Sequence, residues 1–258
     1  MSVRVAKSAG FCFGVSRAVE LVQQAAAAGK RTLTLGPIIH NRHVVEQFAA
    51  AGVRVIDSPE EAGPGDTVVI RSHGVSREVY KRLESTGAEI IDATCPFVKR
   101  IHGLVSQAEA EGRLPVIIGT PTHPEVEGIA GWCGDCRIFD SADALKKWVQ
   151  EEEIGADTPI CMVSQTTSTE SLWKLCRNFA KKQFTNLKIF DTICKATEDR
   201  QTEAASLSRE CQAMVVVGDA KSSNTGRLAM ICREYCDRVA LVDDASELEP
   251  AFFAGITD

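Results

Sequence analysis

The sequence predicts an α/β protein of three pseudo-symmetric lobes, each a small, mostly parallel sheet with its helices. Three observations predict it. Short runs rich in Val and Ile alternate with helical stretches along the chain, the order of those runs recurs, and a cysteine closes each recurrence at a strand end. Nearly continuous apolar strands separated by helices indicate parallel sheets buried on both faces.

The strand runs are, in order, RTLTL, RVIDS, TVVIR, EIIDA, PVIIG, CRIFD, ICMVS, LKIFD, AMVVVG and RVALVD. From Leu35 the chain reads strand, polar loop (GPIIHN), helix, IDSPEEA, strand, polar loop (RSHGVS), helix, then IDATC. From Pro115 it reads strand, polar loop (GTPTHPEVEG), helix, FDSADAL, strand, polar loop (SQTTST), helix, then FDTIC. These are two copies of one unit of roughly 80 to 100 residues, the size of a small α/β domain. A third copy opens at Ala213 with AMVVVG, the loop DAKSSNTGR, a helix and VDDASEL, and has no second strand-loop-helix half. The opening run VRVAKSAGFC shares the strand-then-Cys form of EIIDATC and KIFDTIC, so it is expected to supply the closing strand of that lobe. The expected lobes are therefore 14–96, 97–193, and 1–13 together with 194–258.

Composition narrows the class. With 258 residues, 44% hydrophobic and 25% charged, the chain is ordinary globular protein and too long for one small module. No apolar run approaches the roughly 20 residues that cross a bilayer, and Arg17 and Glu20 interrupt the first helical stretch, so a cytoplasmic protein without membrane contact is expected. A net charge of −6 argues against nucleic acid as a partner. Ten cysteines spread through an α/β pattern read as reduced thiols, some of them metal-binding, and not as a secreted disulfide framework.

Threefold equivalence puts Cys12, Cys95 and Cys194 at matching strand ends, where they can converge on one axis. A thiolate there is favoured by exposed backbone N–H groups at the start of the following helix. Three such thiolates select an iron–sulfur cluster, Zn or Cu(I). Of the other cysteines, Cys161, Cys176, Cys211, Cys232 and Cys236 read as small core hydrophobes. The segment GWCGDC, with Cys133 and Cys136, resembles the thioredoxin dithiol motif, but it precedes a strand where that motif follows one.

Ligands of open parallel sheets bind beyond the carboxyl ends of the strands, where the polar loops lie. His40, His73 and His123 occupy corresponding loops and can donate to phosphate oxygens, while His43 sits beside the first of these loops. His102, on a helical stretch, is expected to be partly exposed. Ser222, Ser223 and Asn224 begin a helix, as either an N-cap or an anion site, and Gln165, Thr166 and Thr167 take the matching place in another lobe. A carboxylate beside a diphosphate is repelled unless it carries a proton, which makes Glu125 the leading general acid. Two rival readings are a thiol–disulfide oxidoreductase working through Cys133 and Cys136, and a non-catalytic phosphate- or zinc-binding module.

The segments GFCFGV, GPIIHN, SHGVS, DATCP, THPEVEG, SQTTST, DTIC, ATEDRQ and SSNTGRL, in that order from Gly10 to Leu228, resemble the 4-hydroxy-3-methylbut-2-enyl diphosphate reductase (LytB/IspH) family of the non-mevalonate isoprenoid pathway. The resemblance implies lobes arranged around a central, oxygen-sensitive [4Fe–4S] cluster bound by Cys12, Cys95 and Cys194, with one iron lacking a protein ligand. It implies substrate contacts from His40, His73, His123, Thr166, Ser222, Ser223 and Asn224, and proton delivery by Glu125 with help from Thr166. The implied reaction is a two-electron reductive dehydroxylation of the allylic diphosphate to isopentenyl and dimethylallyl diphosphates, fed by a ferredoxin or flavodoxin. Family members continue beyond the DDASEL region into a Thr-Ala-Gly-Ala-Ser segment whose Ser contacts the diphosphate, whereas this sequence stops at Asp258, so weakened substrate binding is expected.

Overall fold

The computed structural model describes residues 2–257 and forms all ten strands read from the sequence. The chain divides into two compact units, one of Phe13–Ile39 and His43–Ile193, the other of Met1–Cys12, His40–Arg42 and Cys194–Asp258.

The larger unit carries α1 (Phe13–Ala27), β1 (Arg31–Leu35), α2 (Arg42–Ala50), β2 (Arg54–Ile56), β3 (Asp66–Ile70), α3 (Arg77–Ser85), β4 (Glu89–Asp92) and α4 (Pro96–Ala110). It continues through β5 (Leu114–Ile118), α5 (Pro124–Ala130), β6 (Arg137–Phe139), α6 (Ala142–Glu151), β7 (Ile160–Ser164), α7 (Glu170–Gln183) and β8 (Leu187–Ile189). Its strands make two four-stranded sheets of matching order, β2-β1-β3-β4 and β6-β5-β7-β8, parallel throughout. The register repeats as well. Leu33, third in β1, faces Arg54 at the start of β2, and Val116, third in β5, faces Arg137 at the start of β6. The repeat read from loop order is thus a repeat of hydrogen-bonded pairing.

Side-chain alternation along the central strands divides the cores. Val68 and Ile70 of β3 pack with Leu83 of α3, while Val69 between them packs with Ala18 and Val22 of α1. In the second sheet Val116 and Ile118 join Trp148, Trp173 and Cys176, and Ile117 turns to Ile101 and Val105 of α4 and Val126 and Ile129 of α5. A strand with a helix on each face has no polar side, which is why DTVVI and LPVII are nearly continuous apolar runs.

The smaller unit holds α8 (Lys195–Glu210), β9 (Met214–Val217), α9 (Ser223–Arg233) and β10 (Val239–Val242), with β9 and β10 in a two-stranded parallel sheet. The expected closing strand from the chain start does not form: no strand is assigned within residues 2–12. Side chains of α8 hold that segment instead. Both Lys7 and Ser8 donate backbone N–H groups to the Glu203 carboxylate at 2.7 and 2.8 Å, the Ser8 hydroxyl adds a third bond at 2.5 Å, and Arg200 donates to the carbonyls of Ser8 and Gly10. With its N–H groups committed to a carboxylate, the segment has fewer to offer a ladder.

One further expectation is corrected. His102 is not partly exposed but 4% exposed, in line with Val98, Ile101 and Val105 on the buried face of α4. Cys161, Cys176, Cys232 and Cys236 are buried as expected, whereas Cys211 is only half-buried.

Candidate active site

The carboxyl ends of β5 and β7 bring two predicted residues together. The turn after β5 leads into α5, which opens with His123 as N-cap, Pro124 and Glu125. Proline suits the first helical turn, where its missing N–H has no intrahelical partner to lose. This places Glu125 3% exposed, against the end of β7. Thr166 donates its backbone N–H to one carboxylate oxygen at 2.6 Å and its hydroxyl to the other at 2.8 Å. A buried carboxyl group is costly unless bonded, and the fork from one threonine supplies both oxygens with donors. The hydroxyl of Thr166 can both accept and donate, as can the Glu125 carboxyl once protonated, so the hydroxyl can pass a proton between the carboxyl and a ligand.

His123 is oriented by the same turn. Its Nδ1 accepts from the Glu125 backbone N–H at 3.1 Å, which in the neutral ring leaves the proton on Nε2. His73, from the loop after β3, meets it edge to face with ring centroids 5.4 Å apart. The loops after β3 and β5, which hold different places in the repeat, thus present two half-buried imidazoles side by side. His40, in the loop after β1, is also half-buried.

Cys95 and Cys194 follow strands as expected, whereas Cys12 precedes α1 and follows no strand. Cys95 follows β4 and is the N-cap of α4, and Cys194 follows β8 and is the N-cap of α8, in both cases without a side-chain capping bond. Ser or Thr at that position would turn inward to cap the helix, as Ser76, Ser141 and Thr169 do elsewhere in the chain. Around Cys95 the backbone is tightly specified. Arg17 donates to the carbonyls of Asp92 and Thr94, the Asp92 carboxylate accepts from Thr94 N–H at 2.9 Å, and Lys99 pairs with Asp92 at 2.5 Å. Burial resists ionisation of Asp92, but Lys99 and Thr94 outweigh it and hold its pKa below the ordinary value. Gly14 leaves room for the sulfur: a Cβ there would lie 2.6 Å from Cys95 Sγ. In the smaller unit Cys194 Sγ contacts the Thr197 hydroxyl at 3.0 Å. Cys12, Cys95 and Cys194 are all half-buried and none is in a disulfide. Accessible thiols at helix N-termini, one of them in a pocket that a single methyl would fill, suit ligation by soft metal.

Ser222 is the N-cap of α9, its hydroxyl accepting from Thr225 N–H, and Ser223 and Asn224 begin the helix, all three half-buried. The capping role is thus real, and the side chains of Ser223 and Asn224 lie beside it at a helix start. Among positioning residues, Arg17 and Gly14 were not singled out from the sequence. Both lie in or next to GFCFGV, so closeness to a strand-end cysteine was the available signal.

Parallel strands delivering an acid, imidazoles and thiols at their carboxyl ends define an α/β enzyme whose chemistry sits in loops. The chain belongs to the LytB protein family, whose model matches residues 3–258. It is 40% identical over 253 residues to 4-hydroxy-3-methylbut-2-enyl diphosphate reductase of Thermoanaerobacter sp. strain X514, covering 96% of this chain and 86% of that protein. It is 38% identical over 258 residues to the protein of the same name from Geobacter sulfurreducens, covering 99% and 89%. Among solved structures, (E)-4-hydroxy-3-methyl-but-2-enyl diphosphate reductase, described as the terminal enzyme of the non-mevalonate pathway, superposes with a TM-score of 0.70 at 36% identity, covering 98% of this chain and 90% of that one. The E-1-hydroxy-2-methyl-but-2-enyl-4-diphosphate reductase from Plasmodium falciparum superposes with a TM-score of 0.89 at 25% identity, covering 96% and 78%.

Proposed function

We propose that this chain reduces 4-hydroxy-3-methylbut-2-enyl diphosphate to isopentenyl and dimethylallyl diphosphates, with a [4Fe–4S] cluster held by Cys12, Cys95 and Cys194. The observation that carries the reading is the buried Glu125–Thr166 pair, because removing a hydroxyl as water requires a proton at the leaving oxygen. Glu125 holds that proton and the Thr166 hydroxyl hands it on. His123, with its proton on Nε2, and His73 beside it donate to the substrate, and His40, Ser222, Ser223 and Asn224 add donors for the diphosphate. Each hydrogen bond to a charged oxygen is worth about 1.5 to 3 kcal/mol, so a few of them anchor a small ligand. Anchoring the diphosphate fixes the short carbon chain and makes proton transfer effectively intramolecular.

When bound, the cluster supplies electrons and, at the iron that three cysteines leave without a protein ligand, a Lewis acid. The electrons come from a ferredoxin- or flavodoxin-type donor. A cytoplasmic location is supported by ten cysteines dispersed through an α/β chain without a disulfide framework. No helix among the described residues is long and apolar enough to cross a membrane. The three-lobe division at 14–96, 97–193 and 1–13 with 194–258 is supported by the repeated strand order and by the hold of α8 on the first residues. The deciding experiment is anaerobic purification and reconstitution followed by iron, sulfide and absorbance measurements, then turnover of the allylic diphosphate with a strong one-electron reductant. A colourless, iron-free protein after reconstitution would overturn the reading.

A further inference from the structure

Two glycines of α5 and its C-cap, and the tryptophan that follows them, lie against the loop that carries His73. A Cβ at Gly128 would sit 3.4 Å from the His73 carbonyl oxygen and 3.6 Å from the carbonyl carbon of Gly74, so the loop backbone rests directly on the helix. At Gly131, the C-cap, a Cβ would fall 2.1 Å from Ser76 Cβ and 2.9 Å from Ser76 Cα, and no side chain fits unless the loop or the helix moves. The φ of Gly131 is −71°, open to every L residue, so the approach of Ser76 and not backbone conformation calls for glycine there. Hydrogen bonds fasten the same contact. The Trp132 indole N–H donates to the Val75 carbonyl at 2.8 Å, the Arg77 N–H donates to the Gly131 carbonyl at 3.2 Å, and the Arg77 guanidinium donates to the Trp132 carbonyl at 3.1 Å. Every residue from His73 to Arg77 thus meets the segment 128–132.

We infer that Gly128, Gly131 and Trp132 are positioning residues: they dock the His73 loop on α5 and so set His73 against His123. His123 is the N-cap of α5, and its Nδ1 is bonded to the Glu125 N–H of the same helix, so the helix carries that imidazole with it. His73 comes from the loop after another strand, and its carbonyl rests on Gly128 further along α5. One short helix thereby fixes both rings, whose centroids lie 5.4 Å apart. The inference rests on the reading that His73 and His123 donate to the diphosphate. A hydrogen bond weakens steeply away from its best length and angle, so a displaced loop is felt at the ligand even though none of the three positioning residues touches it. Gly131 and Trp132 therefore act on substrate affinity through His73, while the fork from Thr166 continues to hold Glu125 for proton delivery.

The test is a mutant cycle on the anaerobically reconstituted protein, reading the Kd of 4-hydroxy-3-methylbut-2-enyl diphosphate, kcat at saturation and the thermal midpoint. Gly131→Ala should raise Kd about 10-fold, the loss of one well-placed hydrogen bond to a charged oxygen, with kcat within about 2-fold of the unaltered chain. In a His73→Ala background the same substitution should raise Kd less than about 2-fold, because the group it acts through is gone. Trp132→Phe keeps the ring but removes the donor to Val75, and should show the same dependence on His73; it carries the test if Gly131→Ala does not fold. Gly103→Ala, on the exposed face of α4 where a Cβ meets nothing within 4 Å, should leave Kd unchanged. The inference fails if Gly131→Ala and Trp132→Phe bind substrate normally, if their effect is as large without His73 as with it, or if Gly103→Ala weakens binding equally. If His73→Ala alone leaves Kd unchanged, the reading of His73 as a ligand fails first and the inference falls with it.

Discussion

The His102 imidazole lies stacked on the Trp132 indole, with ring centroids 5.1 Å apart and planes 15° from parallel. His102 is also pressed against Gly74, where a Cβ would come within 2.7 Å of its Cε1 and where φ is +73°, so two separate requirements select glycine next to His73. Burial drives the pKa of His102 down from 6.5 to about 4, with Asp92 opposing and Lys99 assisting the shift. Below pH 6.5 the unfolded chain takes up a proton that the folded chain refuses until about pH 4. The stability this group contributes is complete above 6.5 and is lost as the pH falls toward 4, on the order of 3 kcal/mol in all. Urea unfolding at neutral pH and near pH 4.5 should show a smaller pH-dependent loss for His102→Leu than for the unaltered chain. Equal losses would mean that His102 titrates normally.

Gly14→Ala is expected to fold but to load metal poorly, since its methyl would fall 2.6 Å from Cys95 Sγ and displace it. Overpacking of this kind costs about 1 to 3 kcal/mol, less than a domain's typical stability. Iron per chain after anaerobic reconstitution, compared with thermal midpoint, separates the two effects. Full iron content would show that the sulfur has another place to go.

Glu125→Gln should keep its fold and its affinity for the diphosphate while losing turnover by about 10²-fold or more, because the amide preserves shape and has no proton to transfer. Thr166→Val removes the hydroxyl but keeps the backbone N–H, so it should slow turnover without unseating Glu125. Single-turnover rates beside substrate Kd provide the check, and near-normal rates in both variants would place proton delivery elsewhere.

Replacing Cys12, Cys95 or Cys194 by Ser should abolish iron binding, while Cys232→Ser, in the buried part of α9, should lower stability and leave iron content unchanged. Comparable iron in Cys95→Ser and the unaltered protein would remove that residue from the ligand set.

Glu203→Ala deprives Lys7 and Ser8 of their acceptor. Limited proteolysis should then cut within residues 2–12 much faster than in the unaltered chain, with the rest of the fold protected. An unchanged cleavage rate would mean that the Arg200 bonds to Ser8 and Gly10 suffice.

Much of this arrangement was legible before any coordinates. Apolar runs such as DTVVI and LPVII announce strands covered on both faces, and the recurrence of loops announces matching strand order. The polar loops were expected beyond the carboxyl ends of the strands, and the pairing of β5 with β7 in the structure is what brings Glu125 to Thr166 across 41 residues of sequence. The chain start was misread because VRV has strand composition, while the deciding partner, Glu203, lies on a distant helix that pattern alone does not pair with it. His102 was misread because Lys99 and Arg100 make its neighbourhood look solvated. Its spacing of four from Val98 and three from Val105 places it on the apolar face, and that signal was present in the sequence.

All the strand ladders among the described residues are parallel, and none can be closed by a tight turn. Each strand must wait for an intervening crossover to form before it finds its neighbour, so loop closure comes before the contacts that reward it. Refolding from denaturant should therefore be slow, and its yield should fall as protein concentration rises, because runs such as TVVI and CMV remain uncovered and free to pair between chains in the interval. The repeat that gives the active site its matching loops also gives the nascent chain near-equivalent strands that can pair with the wrong partner.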